Sequence, residues 1–279
     1  MKPKITIASG KGGTGKTTVA VNMALSLKDV QLMDCDVENP NDHLFLGKAL
    51  DVVEPVNLIV PQIDKTKCTN CGKCSDFCRY NALVTFKHDT LFFPEMCHGC
   101  GGCTLVCPEK AITETSRPIG KIFKKSVGNI DFWSGLLNIG EPMATPVIKH
   151  LKTHLDYSKP AILDSPPGTA CPVIETISDA DFVILVTEPT PFGLHDLKLA
   201  IDVVKLLGKP FGVIVNRMGS GDDRIQAYCL EKNVEILMEI PQSQEIAKLY
   251  SKGIPFVTSM PEWKERFMQI YSRIAEEVG

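Results

Sequence analysis

Eight of the eleven cysteines in this 279-residue chain lie in two copies of one short pattern. The first copy has the spacing C-x2-C-x2-C-x3-C, and the second copy repeats it 29 positions further along. The cysteines concerned are Cys68, Cys71, Cys74, Cys78, Cys97, Cys100, Cys103 and Cys107. This spacing is typical of chains that hold iron–sulfur clusters through thiolate ligands. The sequence therefore predicts two [4Fe–4S] clusters.

The order of the cysteines also predicts how they divide between the two clusters. In two-cluster ferredoxins the fourth cysteine of each run binds the cluster of the other run. The first cluster would then take Cys68, Cys71, Cys74 and Cys107, and the second would take Cys78, Cys97, Cys100 and Cys103. Four-cysteine zinc sites are the alternative, although zinc pairs normally show C-x2-C separated by longer gaps.

A second chemical motif is the sequence GKGGTGKT at 10–17. It matches G-x-x-x-x-G-K-[ST] between a strand-like run and a helical pattern, which is the context of a phosphate-binding loop. Its backbone N–H groups and the helix dipole suit a polyphosphate. We expect Lys16 to contact the β- and γ-phosphates and the Thr17 hydroxyl to bind Mg²⁺. The predicted nucleotide-binding residues here are Gly10, Lys11, Gly12, Gly13, Thr14, Gly15, Lys16, Thr17 and Thr18.

The elements that must position these motifs alternate along most of the chain. Buried strands are predicted at 4–9, 30–36, 161–165, 181–188 and 209–217, and helices at 15–27, 142–156, from about 171, and 193–207. Apolar strands that alternate with helices predict a parallel sheet covered on both faces. Short strands are expected from about 120 to 135, and the apolar face of a helix at 263–278 is expected to pack on the sheet.

The cysteine-rich segment interrupts these elements and is expected to form a unit of its own. It fills about 62–114, and its expected seams are Pro61 and a turn at 118–120. The chain would then consist of one domain at 1–61 and 115–279 and a smaller inserted domain. A length of 279 residues leaves room for both.

Lys11 is unusual, because a second cation in the loop is not needed to hold the phosphates of its own subunit. The motif KGGTGKT resembles the deviant Walker A motif of the MinD/ParA/Mrp ATPases, relatives of the nitrogenase iron protein. The segments DCDVENPNDHLFL and DSPPGTACPVIE carry the same likeness. The resemblance implies an ATPase that dimerises around ATP, with Lys11 reaching the partner's phosphates. An ordinary surface lysine is the alternative.

The resemblance also implies roles for carboxylates at the ends of strands. Asp36 would position or polarise the attacking water near Mg²⁺, with Asp34 supporting the metal's surroundings. Asp164 would stand behind the Mg²⁺ ligands, and the switch-like segment 165–169 follows it. A turn-capping aspartate is the alternative for Asp36 and Asp34. The implied Mg²⁺ residues are Thr17, Asp36 and Asp164, and the implied catalytic residues are Lys11, Lys16 and Asp36.

Two further residues match positions of the family's base pocket. Asn216, at the end of a strand, corresponds to the asparagine that hydrogen-bonds adenine, and its amide offers both a donor and an acceptor. The loop at Pro241 resembles the other wall of that pocket. A simple turn asparagine is the alternative for Asn216.

The resemblance covers nearly the whole chain. Residues 1–60 and 118–279 resemble the ATPase, and the segment between them resembles bacterial ferredoxins. The expected fold is an α/β P-loop NTPase with a mostly parallel sheet covered by helices on both faces, plus an inserted small α+β bacterial-type ferredoxin domain. ATP or ADP, Mg²⁺ and two [4Fe–4S] clusters are the implied cofactors, and a homodimer on ATP binding is the implied assembly.

Composition sets limits on the remaining function classes. A net charge of −3 and a pI near 6.1 show no broad basic field, so nucleic-acid binding is not expected. We see no apolar signal core and no stretch long enough to span a membrane. Cysteine at ligand spacing is typical of a reducing compartment, so we expect a cytoplasmic protein without integral membrane contact.

The leading hypothesis is an ATPase whose dimer closure is coupled to electron transfer through two [4Fe–4S] clusters to a redox partner. The alternative is an Mrp-type ATPase that assembles or carries iron–sulfur clusters or another metal cofactor for apo-proteins. Such carriers usually have a C-x-x-C near the C-terminus, where this chain has the single Cys229. A positioning switch on DNA or membrane is a third hypothesis. Cys171 is expected to be either a free thiol or part of an inter-subunit metal site.

Overall fold

A mixed sheet of nine strands lies at the centre of the computed structural model, which describes residues 2–47, 50–219 and 221–279. The strands are β1 (Lys4–Ala8), β2 (Val30–Asp34), β3 (Asp51–Ile63), β4 (Leu83–Thr85), β5 (Thr90–Phe92), β6 (Ile112–Val127), β7 (Ile130–Leu137), β8 (Ala161–Asp164), β9 (Phe182–Thr187), β10 (Phe211–Met218) and β11 (Ile236–Pro241). The order in the sheet is β11-β10-β9-β1-β8-β2-β7-β6-β3, and β4 and β5 form a separate two-stranded sheet.

The helices fill the connections between these strands. They are α1 (Lys16–Ser26), α2 (His43–Leu46), α3 (Lys73–Phe77), α4 (Gly102–Val106), α5 (Thr145–Lys152), α6 (Cys171–Ile177), α7 (Pro191–Leu206), α8 (Arg224–Glu231), α9 (Gln244–Ser251) and α10 (Pro261–Val278). None of the helices in the described ranges is both long and apolar enough to cross a membrane.

Seven neighbouring strands of the sheet, from β11 to β7, are parallel. Alternate residues of β9 enter two different cores: Phe182 and Ile184 pack with residues of α1 and α10, whereas Val183 and Leu185 pack with residues of α6 and α7. Apolar side chains on both faces of a parallel sheet require helices on both sides. The predicted α/β architecture is confirmed.

The last helix uses the face that its sequence predicts. Trp263, Phe267, Ile270 and Ile274 are buried on α10, and they join the core that contains α1. The ring of Phe256 lies 5.6 Å from that of Trp263 in a T-shaped contact. The helix therefore covers one face of the parallel part of the sheet.

The two strands at the edge of the sheet, β6 and β3, run antiparallel to their neighbours and form a long two-stranded arm. Ile63 pairs with Ile112 at its end, so residues 64–111 lie between the two strands. We call this segment the cysteine cassette. The sequence predicts the inserted domain at 62–114, and these bounds stay a prediction.

The two seams predicted from proline and glycine lie within continuous strands, not at breaks between elements. Pro61 lies inside β3, and the expected turn at 118–120 lies inside β6. The register of the β3–β6 pair shifts by one residue between Val56, whose partner is Gly120, and Asn57, whose partner is Pro118. A bulge of this kind tolerates a proline that cannot donate a ladder hydrogen bond, and β3 is an edge strand, where proline is also tolerated. The expected short strands near 120–135 are instead the 16-residue β6 and the 8-residue β7.

The cassette contains two similar halves. The short helices α3 and α4 each follow a glycine with positive φ, Gly72 at 81° and Gly101 at 72°. The helices pack closely, since a Cβ on Gly102 would lie 2.0 Å from a ring carbon of Phe77. Glycine at this position therefore sets the distance between the two halves.

Candidate nucleotide and cluster sites

The phosphate loop occupies residues 10–15, between β1 and α1. Gly13 and Gly15 have φ values of 80° and 100°, which favour glycine. A Cβ on Gly15 would also lie 2.3 Å from Nδ2 of Asn216. The loop therefore depends on glycine both for its conformation and for the close approach of the Asn216 side chain.

Lys16 lies at the start of α1 and is buried. Burial lowers the pKa of its ammonium group, whereas the charges of Asp164 and Asp36 oppose that shift. The Thr17 hydroxyl donates a 2.7 Å hydrogen bond to Oδ2 of Asp164. The structure thus places Thr17 of the motif in contact with Asp164, and it places Lys16 close to both Asp164 and Asp36.

Asp34, Asp42 and Asp164 form a group of three buried carboxyl groups whose facing oxygens lie within 4.8 Å of one another. Within the described residues, no N–H or hydroxyl group reaches Oδ1 of Asp164 or either carboxyl oxygen of Asp42, and these two carboxyl groups face each other within hydrogen-bond reach. Burial raises the pKa of both Asp34 and Asp42 well above the usual range, and neighbouring carboxylates raise it further. Burial also raises the pKa of Asp164 to about 6, against the charge of Lys16. This donor set fits a hard cation such as Mg²⁺.

Asp34 organises the loop that carries the other acidic residue. Its carboxylate accepts hydrogen bonds from the backbone N–H groups of Asp36 (3.2 Å), Asn41 (2.8 Å) and Asp42 (3.1 Å). Asp36 is less buried, and burial raises the pKa of its carboxyl group while Lys16 opposes that shift. Asp34 therefore shapes the loop, and Asp36 lies in that loop close enough to Lys16 for the two charges to interact.

Asp42 is the residue that sequence reasoning missed at this site. It stands eight positions after Asp34, inside the quoted segment DCDVENPNDHLFL, just before α2. The polar segment has no helical or strand-like hydrophobic periodicity from which the direction of the Asp42 side chain could be predicted. Only the loop held by Asp34 brings it beside Asp164.

Lys11 is held within its own chain in this structure. Its Nζ lies 2.6 Å from Oε1 of Glu188, which follows β9. Nη1 of Arg217 lies 3.0 Å from the other oxygen of Glu188. Glu188 was not singled out from the sequence, although an acidic residue at the end of a buried strand is a recognisable signal.

The remaining predicted nucleotide residues lie at the same edge of the sheet. Asn216 donates a 2.9 Å hydrogen bond to the Thr14 carbonyl, so it also supports the phosphate loop. Pro241 is exposed at the end of β11. The switch-like segment meets the loop where Gly168 N–H donates 3.0 Å to the Ser9 carbonyl. Cys171 is exposed at the first residue of α6.

The cysteines of the cassette line two separate hollows. The first hollow is lined by Cys68, Cys71, Cys74 and Cys107, and the second, of about 450 Å³, by Cys78, Cys97, Cys100 and Cys103. Burial raises the pKa of the Cys74 thiol, and the neighbouring Cys68 and Cys107 raise it further. Each hollow therefore contains one of the two sets that the crossed assignment predicts, including the fourth cysteine of the other run.

Backbone N–H groups approach the sulfurs in both halves. The N–H of Gly99 lies 3.4 Å from Sγ of Cys97, and the N–H of Ala111 lies 3.3 Å from Sγ of Cys107. Hydrogen bonds of this kind stabilise negative charge on a cysteine-bound cluster. The donor set and its surroundings fit thiolate-held clusters.

Arg117 connects the second hollow to the sheet. It forms a two-pronged ion pair with Glu141, with 2.9 Å between Nη2 and Oε2. Its Nη2 also lies 3.3 Å from the carbonyl of Pro94 in the cassette. Burial raises the pKa of the Cys97 thiol, and the charge of Arg117 opposes that shift. No pattern in the sequence marks this arginine.

Comparisons with known proteins agree with this geometry. The family model described as the CobQ/CobB/MinD/ParA nucleotide binding domain matches residues 5–256. An uncharacterised protein of Methanocaldococcus jannaschii is 32% identical over 91% of this chain and 91% of its own length. A protein of the same organism named iron-sulfur cluster carrier protein is 26% identical, covering 100% of this chain and 86% of its own length.

Solved structures show the same fold. The septum site-determining protein MinD of Pyrococcus horikoshii, solved with Mg-ADP, aligns with a TM-score of 0.58 and 25% identity, covering 100% of this chain and 96% of that chain. The cell division ATPase MinD of Pyrococcus furiosus aligns with a TM-score of 0.58 at 23% identity and full coverage of both chains. The matched phosphate loop, the strand-end carboxylates and the shared topology lead to one conclusion: this chain belongs to the CobQ/CobB/MinD/ParA family and is a P-loop ATPase.

Proposed function

We propose that this protein is an ATP-hydrolysing iron–sulfur protein in which nucleotide-dependent closure of a homodimer alters electron transfer through two [4Fe–4S] clusters. The observation that carries the proposal is the division of eight cysteines between two hollows of one cassette. Each hollow receives three cysteines of one run and the fourth of the other. Bound clusters would supply one-electron chemistry at these positions.

In the nucleotide half, the chain's own residues supply charge and position. Lys16 faces the phosphates from the start of α1, and its burial strengthens its attraction for them. Thr17 and Asp164 are already joined by a hydrogen bond, so the hydroxyl is oriented for Mg²⁺. Asp36 would orient water for attack on the γ-phosphate, because phosphoryl transfer needs positioning more than covalent help.

The contacts of Lys11 are the part of the site that can differ between monomer and dimer. Its ion pair with Glu188 keeps the ammonium group beside its own loop. To reach the phosphates of a second subunit, the lysine must exchange this carboxylate for them. The exchange favours the dimer only when a γ-phosphate is present, because differential contacts are what shift such an equilibrium.

A continuous set of contacts joins the Asp36 loop to the cassette. The N–H of Leu137, at the end of β7, donates 2.8 Å to the carbonyl of Val37, the residue after Asp36. The next residue, Asn138, donates 2.9 Å from its N–H to Ile119 on β6. Two residues before Ile119, Arg117 contacts the cassette. Movement of the Asp36 loop would therefore displace β7 and β6 at the base of the arm, and with them the contact between Arg117 and the cassette.

The proposal is tested with protein purified without oxygen. We expect the midpoint potential of at least one cluster, or the rate at which it reduces a small redox protein, to differ between ADP and a non-hydrolysable ATP analogue. Lys16→Ala, which should bind neither nucleotide, is the matched control and should show one value throughout. Identical potentials and rates in both nucleotide states would refute the coupling.

A second function, delivery of clusters to apo-proteins, is favoured by one observation. Relatives named iron-sulfur cluster carrier protein align over the whole of this chain. Rapid transfer of cluster iron and sulfide to an apo-ferredoxin would support delivery. Clusters that stay bound through many ATP turnovers would support the electron-transfer proposal instead.

A further inference from the structure

Two histidines and a glutamate direct ligand atoms at one another at the base of the arm, away from both sites described above. Glu54 lies on β3, His150 on α5 and His154 just beyond that helix. Nε2 of His150 and Nε2 of His154 each lie 2.8 Å from the same oxygen of Glu54, Oε1. These three ligand atoms lie within 4.8 Å of one another, as one ion requires.

The spacing of the histidines explains why they meet. His150 lies in the last turn of α5, and His154 lies in the turn that follows, where its N–H donates 3.1 Å to the carbonyl of Leu151. Both rings reach Glu54 on β3 from this end of the helix. The His154 ring is stacked on Trp133, with 4.2 Å between ring centres and 13° between planes. Its backbone carbonyl accepts a 3.0 Å hydrogen bond from Nε2 of Gln31, which is buried. The position and tilt of this imidazole are therefore set without any ligand.

We propose that Glu54, His150 and His154 form a binding site for a divalent transition-metal ion of the zinc class. Two imidazoles and one carboxylate are a ligand set that zinc takes, with bonds of about 2.0 to 2.2 Å. Ligand atoms around such an ion stand about 3.3 Å apart, so the two 2.8 Å contacts to Glu54 need to open by only about 0.5 Å. Water would complete the coordination.

Exposure at the site suits a metal that exchanges with solvent. The side chains of Glu54 and His150 are 38% and 37% exposed, whereas that of His154 is 22% exposed. Nζ of Lys124 lies 4.7 Å from the centre of the Trp133 ring, on which the His154 ring is stacked. The ligands therefore lie open on one side and are held firmly on the other.

The position of the site suggests what the metal would do. Glu54 belongs to the arm that carries the cassette, and His150 belongs to a helix that packs on β7 in the nucleotide-binding half. An ion bound to both would fix the arm to that half. This role is independent of whether the cassette holds clusters or whether ATP controls them.

The competing explanation is a simple pair of imidazole–carboxylate hydrogen bonds. Such bonds need a proton on each Nε2, whereas a metal needs the lone pairs of the same atoms. Metal uptake and its loss on removal of one ligand therefore separate the two explanations.

The test uses the full chain in its cluster-loaded form, prepared without oxygen. The protein is equilibrated against buffered Zn²⁺, and zinc and iron are then counted together. We expect one zinc per chain beyond the iron, with affinity reduced about tenfold or more in Glu54→Gln and His150→Ala. His88→Ala, which removes an exposed histidine from the cassette, is the matched control and should bind zinc like the unaltered protein.

A second readout guards against variants that fold poorly. Zn²⁺ should raise the melting temperature of the unaltered protein and of His88→Ala, but not that of Glu54→Gln, while all three keep the same iron content. The proposal is overturned if no zinc is retained, if zinc binds equally well to His150→Ala, or if its uptake displaces iron.

Discussion

At the scale of single residues, the nucleotide site places three carboxyl groups beside one lysine. Asp34, Asp42 and Asp164 are almost fully buried, and Lys16 is the buried cation near them. Charges of one sign at this distance are costly without compensation. The oxygens of Asp42 and Asp164 that no N–H group reaches form a donor set that fits a cation such as Mg²⁺.

The first prediction concerns Lys16. Lys16→Ala should weaken nucleotide binding about 100-fold or more, because it removes the positive charge that we expect to contact the phosphates from the start of α1. Fluorescent-nucleotide titration measures the loss. The iron content of the same preparation should stay unchanged, since the cassette lies on a separate arm. Nucleotide affinity close to that of the unaltered chain would contradict the assignment.

The second prediction separates Lys11 from Lys16. Lys11→Ala should bind ATP with little change, yet it should neither dimerise on ATP nor hydrolyse it at more than a few per cent of the normal rate. Glu188→Gln, which weakens the ion pair that holds Lys11, should dimerise at lower ATP concentration. Light scattering and phosphate release report the two effects. Normal turnover by Lys11→Ala would exclude a role across the dimer.

At the scale of secondary-structure elements, α10 is the clearest case of a helix predicted by its apolar spacing. Phe267 is fully buried against the α1 side of the sheet, whereas the next residue, Met268, is 44% exposed. Phe267→Ala should lower the free energy of unfolding by about 3–5 kcal/mol, and Met268→Ala by less than about 1 kcal/mol. Denaturant unfolding of the two variants measures both values. Equal losses would mean that the helix is not packed as described.

The cassette supplies a second prediction at this scale. Because Cys78 lines the hollow of the second run, Cys78→Ala should disturb the cluster of Cys97, Cys100 and Cys103. The cluster of its own run should remain. Iron analysis should show about four irons lost of about eight, and electron paramagnetic resonance should show one remaining signal. Loss of the cluster that contains Cys68 would disprove the crossed assignment.

Arrangements that sequence reasoning did not find depend on contacts between elements far apart in the chain. Periodicity and spacing predict β1, α1, β8 and α10, because each follows from neighbouring residues. The pairing of Glu54 with His150 depends on β3 lying beside α5, 96 residues away. The four-residue spacing of His150 and His154 could have been noticed in the sequence, but nothing in the sequence identifies Glu54 as their partner. Likewise, Pro61 and Pro118 predict breaks between secondary-structure elements, yet a bulge and an edge position allow both residues within strands.

At the scale of the whole molecule, one sheet joins two kinds of chemistry. The strands β1, β8 and β2 end at the phosphate site, and β7, β6 and β3 continue the same sheet to the cassette. The resemblance to ATPases and to ferredoxins predicts both halves. The length of the arm and the contacts through Val37, Ile119 and Arg117 are visible only in the folded chain.

The most direct test of the account is a combined count on protein purified without oxygen: iron, acid-labile sulfide and bound nucleotide per chain, measured on one preparation. We predict about eight irons, about eight sulfides and one Mg·nucleotide. A colourless preparation that hydrolyses ATP but contains no iron and no sulfide would contradict the account.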